Sequence, residues 1–273
     1  MSSRPPILRN KDYNCPSLFL PGNLLREAKR QKNIQDVEIP SICILDPDGD
    51  IVRNLITAGH ATLNTSWACY HTRLYNFTYD DIEFGIVGYA VGASFAVLVA
   101  EELFASGCRL LFSVTSAGRI SQTPDPPFFV LITRALRDEG TSYHYLPPSD
   151  YSAMNDDILE KVRNVLSTPG APVFLGASWT TDAPFRETEV AIEYACSENI
   201  MAVEMEAAAL YAFAQARRKP VICLAHVTNQ MGVVDGDFEK GEADGYKEAL
   251  DLISTILKVL KDSPAKHEKP NLS

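Results

Sequence analysis

The sequence lacks the features that mark several large classes of protein. No run approaches the ~18 consecutive apolar residues that a membrane-spanning helix needs, and the start, MSSRPPILRNKDYN, has no apolar core typical of a signal peptide. There is no internal basic block, because 25 lysines and arginines stand against 35 acids, for a formal net charge of −10. These absences argue against a membrane or a nucleic acid as partner and predict a cytoplasmic protein.

Cysteine pairs and nucleotide-binding motifs are also missing. The six cysteines are scattered, with no CxxC and no close cluster with histidine. Four of them lie in apolar runs, so we interpret them as reduced packing residues and expect no metal site. No GxGxxG or P-loop pattern occurs, which argues against a dinucleotide or ATP site. We therefore expect no cofactor.

What is present is an alternation of strand-like and helix-like segments. The predicted strands are SICILDP, DIEFGIVGYAV, RLLFSVTSAG, FFVLITRAL, PVFLGASWTT and PVICLAHVTNQ, with helical runs between several of them. The run HATLNTSWACYHTRLYNF resembles long antiparallel strands at one edge. Buried strands alternating with helices predict one α/β domain over residues 1–273, with a mixed, mostly parallel central sheet flanked by helices. Its core spans about 18–260, and a loose tail covers about 263–273.

Candidate site residues cluster in turns, because ligands of such folds bind where strands end. In FLPGNLLREAKR, Gly22 allows close approach of the backbone and Arg26 can bind an anion. In VTSAG, Thr115 and Ser116 can bind phosphate or sugar oxygens. Both patterns are also consistent with ordinary turns.

Two further segments have the same ambiguity. In GYAVGASF, the glycines and Ser94 precede a helix whose N–H groups can hold phosphate, although such turns also use glycine for geometry alone. In ASWTTDAPFRET, Trp179 and Phe185 flank a polar turn, which suits a planar heterocycle. The alternative is that Trp179 belongs to the core and Asp182 caps a helix.

The most unusual segment is MAVEMEAAALYAFAQARR, in which Glu204 and Glu206 precede an almost wholly apolar helix. A buried carboxylate is unfavourable unless it is bound by something. If the strand extends that far, both acids point to one face. A carboxylate there can accept hydrogen bonds from two vicinal hydroxyls of a ribose.

These segments together resemble the nucleoside phosphorylase family that includes uridine phosphorylase and the hexameric purine nucleoside phosphorylases. MAVEMEAAALYAFA is similar to the family's VEMEAAALY signature, PGNLLR to its PGDPxR phosphate loop, GYAVGAS to GIGGPS and VTSAG to GTSGG. The resemblance spans about residues 18–260. It implies a pentosyltransferase that uses inorganic phosphate to convert a purine or pyrimidine nucleoside to free base and ribose 1-phosphate.

The resemblance also assigns roles to matching positions. It implies that Gly22, Arg26 and Thr115 hold phosphate, that Met205 packs on the sugar, and that Glu206 binds its hydroxyls. Trp179 and Phe185 would flank the base. We add Ser116, Asn229 and Gln230 as hydrogen-bonding candidates, and His144 as either a contact near the sugar or a structural residue. The resemblance further implies a homodimer or homohexamer, for which we nominate the edge segment 60–77 as the interface.

Departures from the family pattern leave the nucleophile open. The arginine expected three residues before Thr115 is Phe112, and the arginine expected from a partner subunit near Thr62 is absent. The aspartate that protonates the leaving base in purine enzymes is Asn229, which cannot donate a proton to the leaving base. A nucleoside hydrolase, in which water replaces phosphate, and a catalytically silent binding protein therefore remain as alternatives.

Overall fold

A computed structural model describes residues 5–35, 37–122, 124–163, 172–230, 236–238 and 240–262. The predicted tail at about 263–273 lies outside these residues. No helix within the described ranges combines the length and apolar character needed to cross a membrane.

In the part of the chain that the structure describes, ten strands form one mixed sheet, and the predicted strands are all among them. They are β1 Ile42–Asp46, β2 Thr62–Leu63, β3 Tyr75–Tyr79, β4 Ile82–Gly88, β5 Leu110–Arg119, β6 Phe128–Asp138, β7 Tyr151–Ala153, β8 Val173–Thr181, β9 Ile200–Glu204 and β10 Val221–Asn229. The longest pairings, β5 with β10 and β6 with β8, are parallel, whereas β10 with β6 and β5 with β9 are antiparallel.

Five of these strands close on themselves. The chain of pairings runs from β5 to β10, β6, β8, β9 and back to β5, and β1, β4, β3 and β2 extend the sheet from β5. Because β1, β4, β5 and β10 run parallel, the loops that follow them meet at one edge of the sheet. The junction of β9 with the next helix lies beside β5, so it reaches the same region.

Within the described residues, seven α-helices accompany the sheet. They are α1 Pro21–Lys32, α2 Asp50–Thr57, α3 Ala93–Ala105, α4 Asp156–Val162, α5 Glu189–Ser197, α6 Ala207–Arg217 and α7 Tyr246–Asp262. The apolar run from Ala207 to Phe213 is buried throughout, as its composition predicts. Side chains cap two other helices, since Asn155 accepts from the Ile158 N–H at 3.1 Å and Thr188 from the Ala191 N–H at 3.4 Å.

The edge segment differs from its prediction. Between residues 60 and 77 only Thr62–Leu63 and the start of β3 are extended, so the long antiparallel strands were wrong. Trp67 instead turns inward, where it is 5% exposed and its indole N–H donates to Thr72 Oγ1 at 3.0 Å. The alternation of polar and apolar residues in this segment therefore arises partly from a packed loop and only partly from a strand.

The prediction that the cysteines are reduced packing residues holds for four of the six. Cys43, Cys69, Cys108 and Cys223 are buried, whereas Cys15 and Cys196 are exposed, and all six are free thiols. Burial raises the pKa of the Cys223 thiol well above its usual range, so that thiol stays protonated.

Candidate active site

Glu206 lies where α6 begins, and its carboxylate reaches two other elements. One oxygen accepts the backbone N–H of Gly92 at 2.7 Å, and the other accepts the hydroxyl of Thr115 at 3.0 Å. Gly92 precedes α3 with φ of 91°, a conformation that favours glycine. Glu206 therefore connects the β4–α3 turn, β5 and α6.

Glu204 points elsewhere, contrary to the expectation that the two acids share a face. One of its oxygens accepts the hydroxyls of Ser178 and Thr180, at 2.9 and 2.5 Å. The other accepts the N–H groups of Glu206 and Ala207, both at 2.7 Å. The chain turns helical at Glu206, with φ −132° and ψ −39°, and this turn separates the two side chains. Glu204 thus caps α6 from strand β9.

Burial controls the protonation of both acids. Glu206 is 1% exposed and Glu204 3%. Burial raises the pKa of Glu206, the charge of Glu204 raises it further, and the hydrogen bonds from Gly92 and Thr115 oppose the rise. Burial also raises the pKa of Glu204, against its four hydrogen bonds. Because the two buried carboxyls are close together, the charge of each favours the protonated form of the other.

An acidic loop follows β1 beside this pair. Asp46 ends the strand, Gly49 adopts φ of 78°, and α2 begins at Asp50. Asp48 accepts the backbone N–H of Ser116 at 2.7 Å, and the Ser116 hydroxyl lies 3.4 Å from Asp50. Asp48 also lies close enough to Glu206 that its charge raises the pKa of that carboxyl. Residues 46–50 are therefore part of the site.

Two cations neutralise one acid of this loop. Asp50 forms ion pairs with Lys240 and with Arg53, the latter at 2.8 Å. Arg53 also binds Asp244 at 2.7 Å. Both cations are thus already bound to carboxylates of the protein.

Two neighbouring groups have strongly shifted protonation. Burial raises the pKa of Asp46 to about 7, and the nearby acids add to the rise, although the Val52 N–H donates to it at 2.8 Å. Burial lowers the pKa of His226 to about 4, with Lys240 contributing. The His226 ring stacks on Phe129 with 4.5 Å between centroids. His226 is therefore neutral near pH 7.

The structure does not bring Gly22 and Arg26 to this site, which corrects the predicted phosphate loop. Both lie within α1, and Gly22 lines a groove with Tyr145 and Arg217, at the far end of α6. Eleven helical residues separate that end from Glu206, or about 16 Å at 1.5 Å per residue. Arg26 is exposed and bonds Asn23 at 3.2 Å. The loop that reaches Ser116 is residues 46–50.

The two aromatic residues predicted to flank the base, Trp179 and Phe185, lie in different environments. Trp179 is 4% exposed and its indole N–H donates to Asp138 at 3.0 Å, so it packs within a hydrophobic cluster. Phe185 is 99% exposed, on a short 3-10 helix after β8. Asp182 does not cap that helix, because its carboxylate accepts the Gly140 N–H at 2.8 Å.

The remaining candidates lie at different distances from Glu206. Met205 precedes it and is half-buried, with its N–H 3.3 Å from the Glu206 carboxylate. Asn229 ends β10 opposite Gly118, and its side chain donates to Ala117 O at 3.4 Å. Arg119 donates to the side-chain oxygen of Gln230.

His144 lies on a 3-10 helix and is bound to Lys11 of the N-terminal segment, at 2.7 Å. Burial lowers the pKa of His144, and the Lys11 charge lowers it further.

At Phe112, where the family pattern has an arginine, the side chain is fully buried in the core. The next residue, Ser113, has a buried hydroxyl that forms no hydrogen bond to the described residues. No charged side chain is supplied from either position.

Several residues of this region were not identified from the sequence, namely Asp46, Asp48, Asp50, Arg53, His226 and Lys240. LDPDGD was the available signal, since three acids, Asp46, Asp48 and Asp50, at the end of a buried strand are unusual. Lys240 and His226 carried no local signal, because they approach Asp50 only through the fold.

Comparison with known proteins agrees with this architecture. The sequence model described as the phosphorylase superfamily matches residues 41–260. A guanosine phosphorylase of Halorubrum lacusprofundi is 27% identical over 173 residues, which are 63% of this chain and 70% of the relative. A purine nucleoside phosphorylase of Plasmodium vivax is 26% identical over 144 residues, 52% of this chain and only 59% of that relative.

Solved structures share the fold. Uridine phosphorylase from Vibrio fischeri superposes with a TM-score of 0.69 at 19% identity, covering 84% of this chain and 94% of that one. Purine nucleoside phosphorylase from Toxoplasma gondii, in complex with immucillin-H, gives 0.67 at 15% identity with the same coverage. Helix α1, at Pro21–Lys32, precedes the residues matched by the superfamily model.

Proposed function

The chain belongs to the phosphorylase superfamily, and from that premise we propose that it is an enzyme which cleaves the N-glycosidic bond of a nucleoside and releases the free base. The observation that carries this proposal is Glu206, a buried carboxylate at the edge of the sheet where β4, β5 and β9 converge. A charged acceptor held in this way suits the two vicinal hydroxyls of a ribose.

Sugar binding needs a local opening, because Glu206 is 1% exposed. We infer that the turn containing Tyr89 and Gly92 moves aside and that ribose hydroxyls replace Gly92 N–H and Thr115 as donors to Glu206. Tyr89 and Val91 of this turn are 60% and 50% exposed, whereas Ala90 between them is buried, so the movement would pivot about Ala90. Met205 would then contact the sugar.

The proposed cleavage depends on stabilising the positive charge that develops on the sugar. As the C1′–N bond breaks, positive charge develops on the sugar, and fixed carboxylates near the ring stabilise it. Of the two aromatic candidates, exposed Phe185 is the one able to stack on a base, since Trp179 is enclosed. Asn229 and Gln230 are the proposed hydrogen-bonding partners of the base edge, and His144 is reassigned to a structural role with Lys11.

Two acceptors of the sugar are candidates. Phosphate, giving ribose 1-phosphate, is supported by family membership and by the N–H and hydroxyl groups of Thr115 and Ser116. Water, giving ribose, is favoured by the acidic loop, since Asp46, Asp48 and Asp50 occupy the surroundings of Ser116. No other cofactor is part of the proposal.

We also propose a cytoplasmic homodimer or homohexamer that binds neither nucleic acid nor membranes. The interface candidate remains segment 60–77, which exposes Leu63 and Tyr70 to 47% and 42%. A sedimentation mass near that of one 30.1 kDa chain at micromolar concentration would contradict the assembly.

A screen of purine and pyrimidine nucleosides, with and without phosphate, tests the function through release of free base. In Glu206→Gln the shape is kept but one acceptor oxygen becomes an NH₂ donor, so turnover should fall at least about tenfold, since a buried hydrogen-bond donor left without its acceptor costs ~1–3 kcal/mol. Glu193→Gln, an exposed glutamate of α5, is the matched control. Unchanged turnover in folded Glu206→Gln would make that acid structural.

A further inference from the structure

One backbone donor of the site is already occupied by an acid of the protein. The Ser116 N–H donates to Asp48 at 2.7 Å. Ser116 directly follows Thr115, whose hydroxyl is bound by Glu206 at 3.0 Å. Asp48 therefore contacts β5 one residue beyond Thr115, the residue whose hydroxyl donates to the proposed sugar-binding acid.

The space beside Asp48 is small. The cavity that Asp48 shares with Thr115, Ser116 and His226 has a volume of about 10 Å³. That volume accommodates about one water molecule. Asp48 itself is half-buried.

The nearby cations do not compensate for the acid. Arg53 and Lys240, the basic side chains bound to this loop, both pair with Asp50. Arg53 is held a second time, by Asp244 at 2.7 Å. A phosphate placed at the Ser116 N–H would have to displace Asp48 and would be repelled by its charge.

We propose that Asp48 fills the anion position of this site, so that inorganic phosphate is excluded and water is the acceptor of the sugar. This inference rests on the proposed glycosidic cleavage. A water oxygen forms the new bond to C1′, the C1′–N bond breaks, and its electron pair leaves with the base. The water proton passes to the Asp48 carboxylate and then to solvent, and the base nitrogen takes a proton from solvent. The products are ribose and free base.

Two variants separate the charge of Asp48 from its volume. Asp48→Asn removes the charge and keeps an oxygen for the Ser116 N–H, whereas Asp48→Ala removes both. Asp157→Ala, an exposed acid in the first turn of α4, is the control for net charge. Titration calorimetry with inorganic phosphate measures binding, and product analysis distinguishes ribose from ribose 1-phosphate.

We expect Asp48→Ala to bind phosphate at least tenfold more tightly than the unmodified protein and Asp157→Ala. We also expect Asp48→Ala and Asp48→Asn to release base at least a hundredfold more slowly in phosphate-free buffer. The proposal would be overturned if the unmodified protein bound phosphate as tightly as Asp48→Ala does. It would also be overturned if base release in phosphate-free buffer were unchanged in both variants. If no nucleoside is cleaved under any condition, the proposed function fails, while the binding comparison still decides whether Asp48 occupies the anion position.

Discussion

Replacing Glu204 with methionine tests whether this acid is the structural member of the pair. Methionine keeps the length of the side chain but removes every acceptor. The N–H groups of Glu206 and Ala207, both 2.7 Å from the carboxylate, then have no partner at the start of a buried helix. The hydroxyls of Ser178 and Thr180 can rotate to other acceptors, whereas the N–H groups cannot.

The expected magnitude follows from those two N–H groups. A buried donor left unsatisfied costs ~1–3 kcal/mol, so the pair costs about 2–6 kcal/mol. Removing a buried charge next to Glu206 offsets part of this loss. We expect Glu204→Met to lower the free energy of unfolding by about 2–5 kcal/mol, a large fraction of the ~5–15 kcal/mol typical of a folded domain.

Glutamine at the same position should have a smaller effect. Its amide oxygen can face the two N–H groups, and its NH₂ can donate to the hydroxyls, which have free lone pairs. We expect Glu204→Gln to cost about 1–2 kcal/mol, between the unmodified protein and Glu204→Met.

Urea unfolding, followed by tryptophan fluorescence, measures these differences, and Glu193→Met is the surface control. The reasoning is refuted if Glu204→Met is as stable as the control, because the acid would then not be needed to cap α6. It is equally refuted if glutamine destabilises more than methionine.

Three other predictions address the acidic loop and α1. Burial raises the pKa of Asp46 from 3.8 to about 7, so between those pH values the folded state holds a proton that the unfolded state has released, and this contribution to stability falls as pH rises. Stability should therefore depend less on pH in Asp46→Asn than in the unmodified protein, as measured by the midpoints of urea unfolding from pH 4 to 8. Gly49→Ala should destabilise by about 1 kcal/mol or more, because φ is 78° and the added Cβ overlaps the Tyr89 ring; Tyr89→Ala in the same chain should recover only the steric part. Arg26→Ala should leave base release and its phosphate dependence unchanged. A tenfold loss of base release would instead show that α1 contributes to the site.

The order of strands and helices was largely predictable, because it depends on local hydrophobic patterns. The apolar runs that became β1, β5 and β10 are continuous, as buried parallel strands require. The apolar stretch after Glu206 became a buried helix for the same reason. The edge strands were less predictable, since alternation in a packed loop mimics alternation in a strand.

The anion site shows where motif similarity misleads. PGNLLR matches a phosphate loop in its letters, yet Pro21 occupies the first turn of α1 and Arg26 faces solvent. The segment DGDIVR at residues 48–53 matches the same loop at Gly49, Asp50 and Arg53, and it follows β1 and reaches Ser116. Whether a loop lies at the site depends on its position relative to a strand end. A short sequence motif does not contain that information.

The sequence by itself determined that Glu204 and Glu206 would be buried, because the chain surrounding them is apolar and has to enter the core. Only the tertiary structure decided what each acid binds. A single change of backbone direction at Glu206 sends one carboxylate to the hydroxyls of β8 and the other to Gly92 and Thr115. Their partners are 24 to 114 residues away along the chain, apart from the backbone N–H groups of residues 205–207. Hydrogen bonds act only over about 3 Å, so contacts between such distant residues exist only after the strands have been brought together.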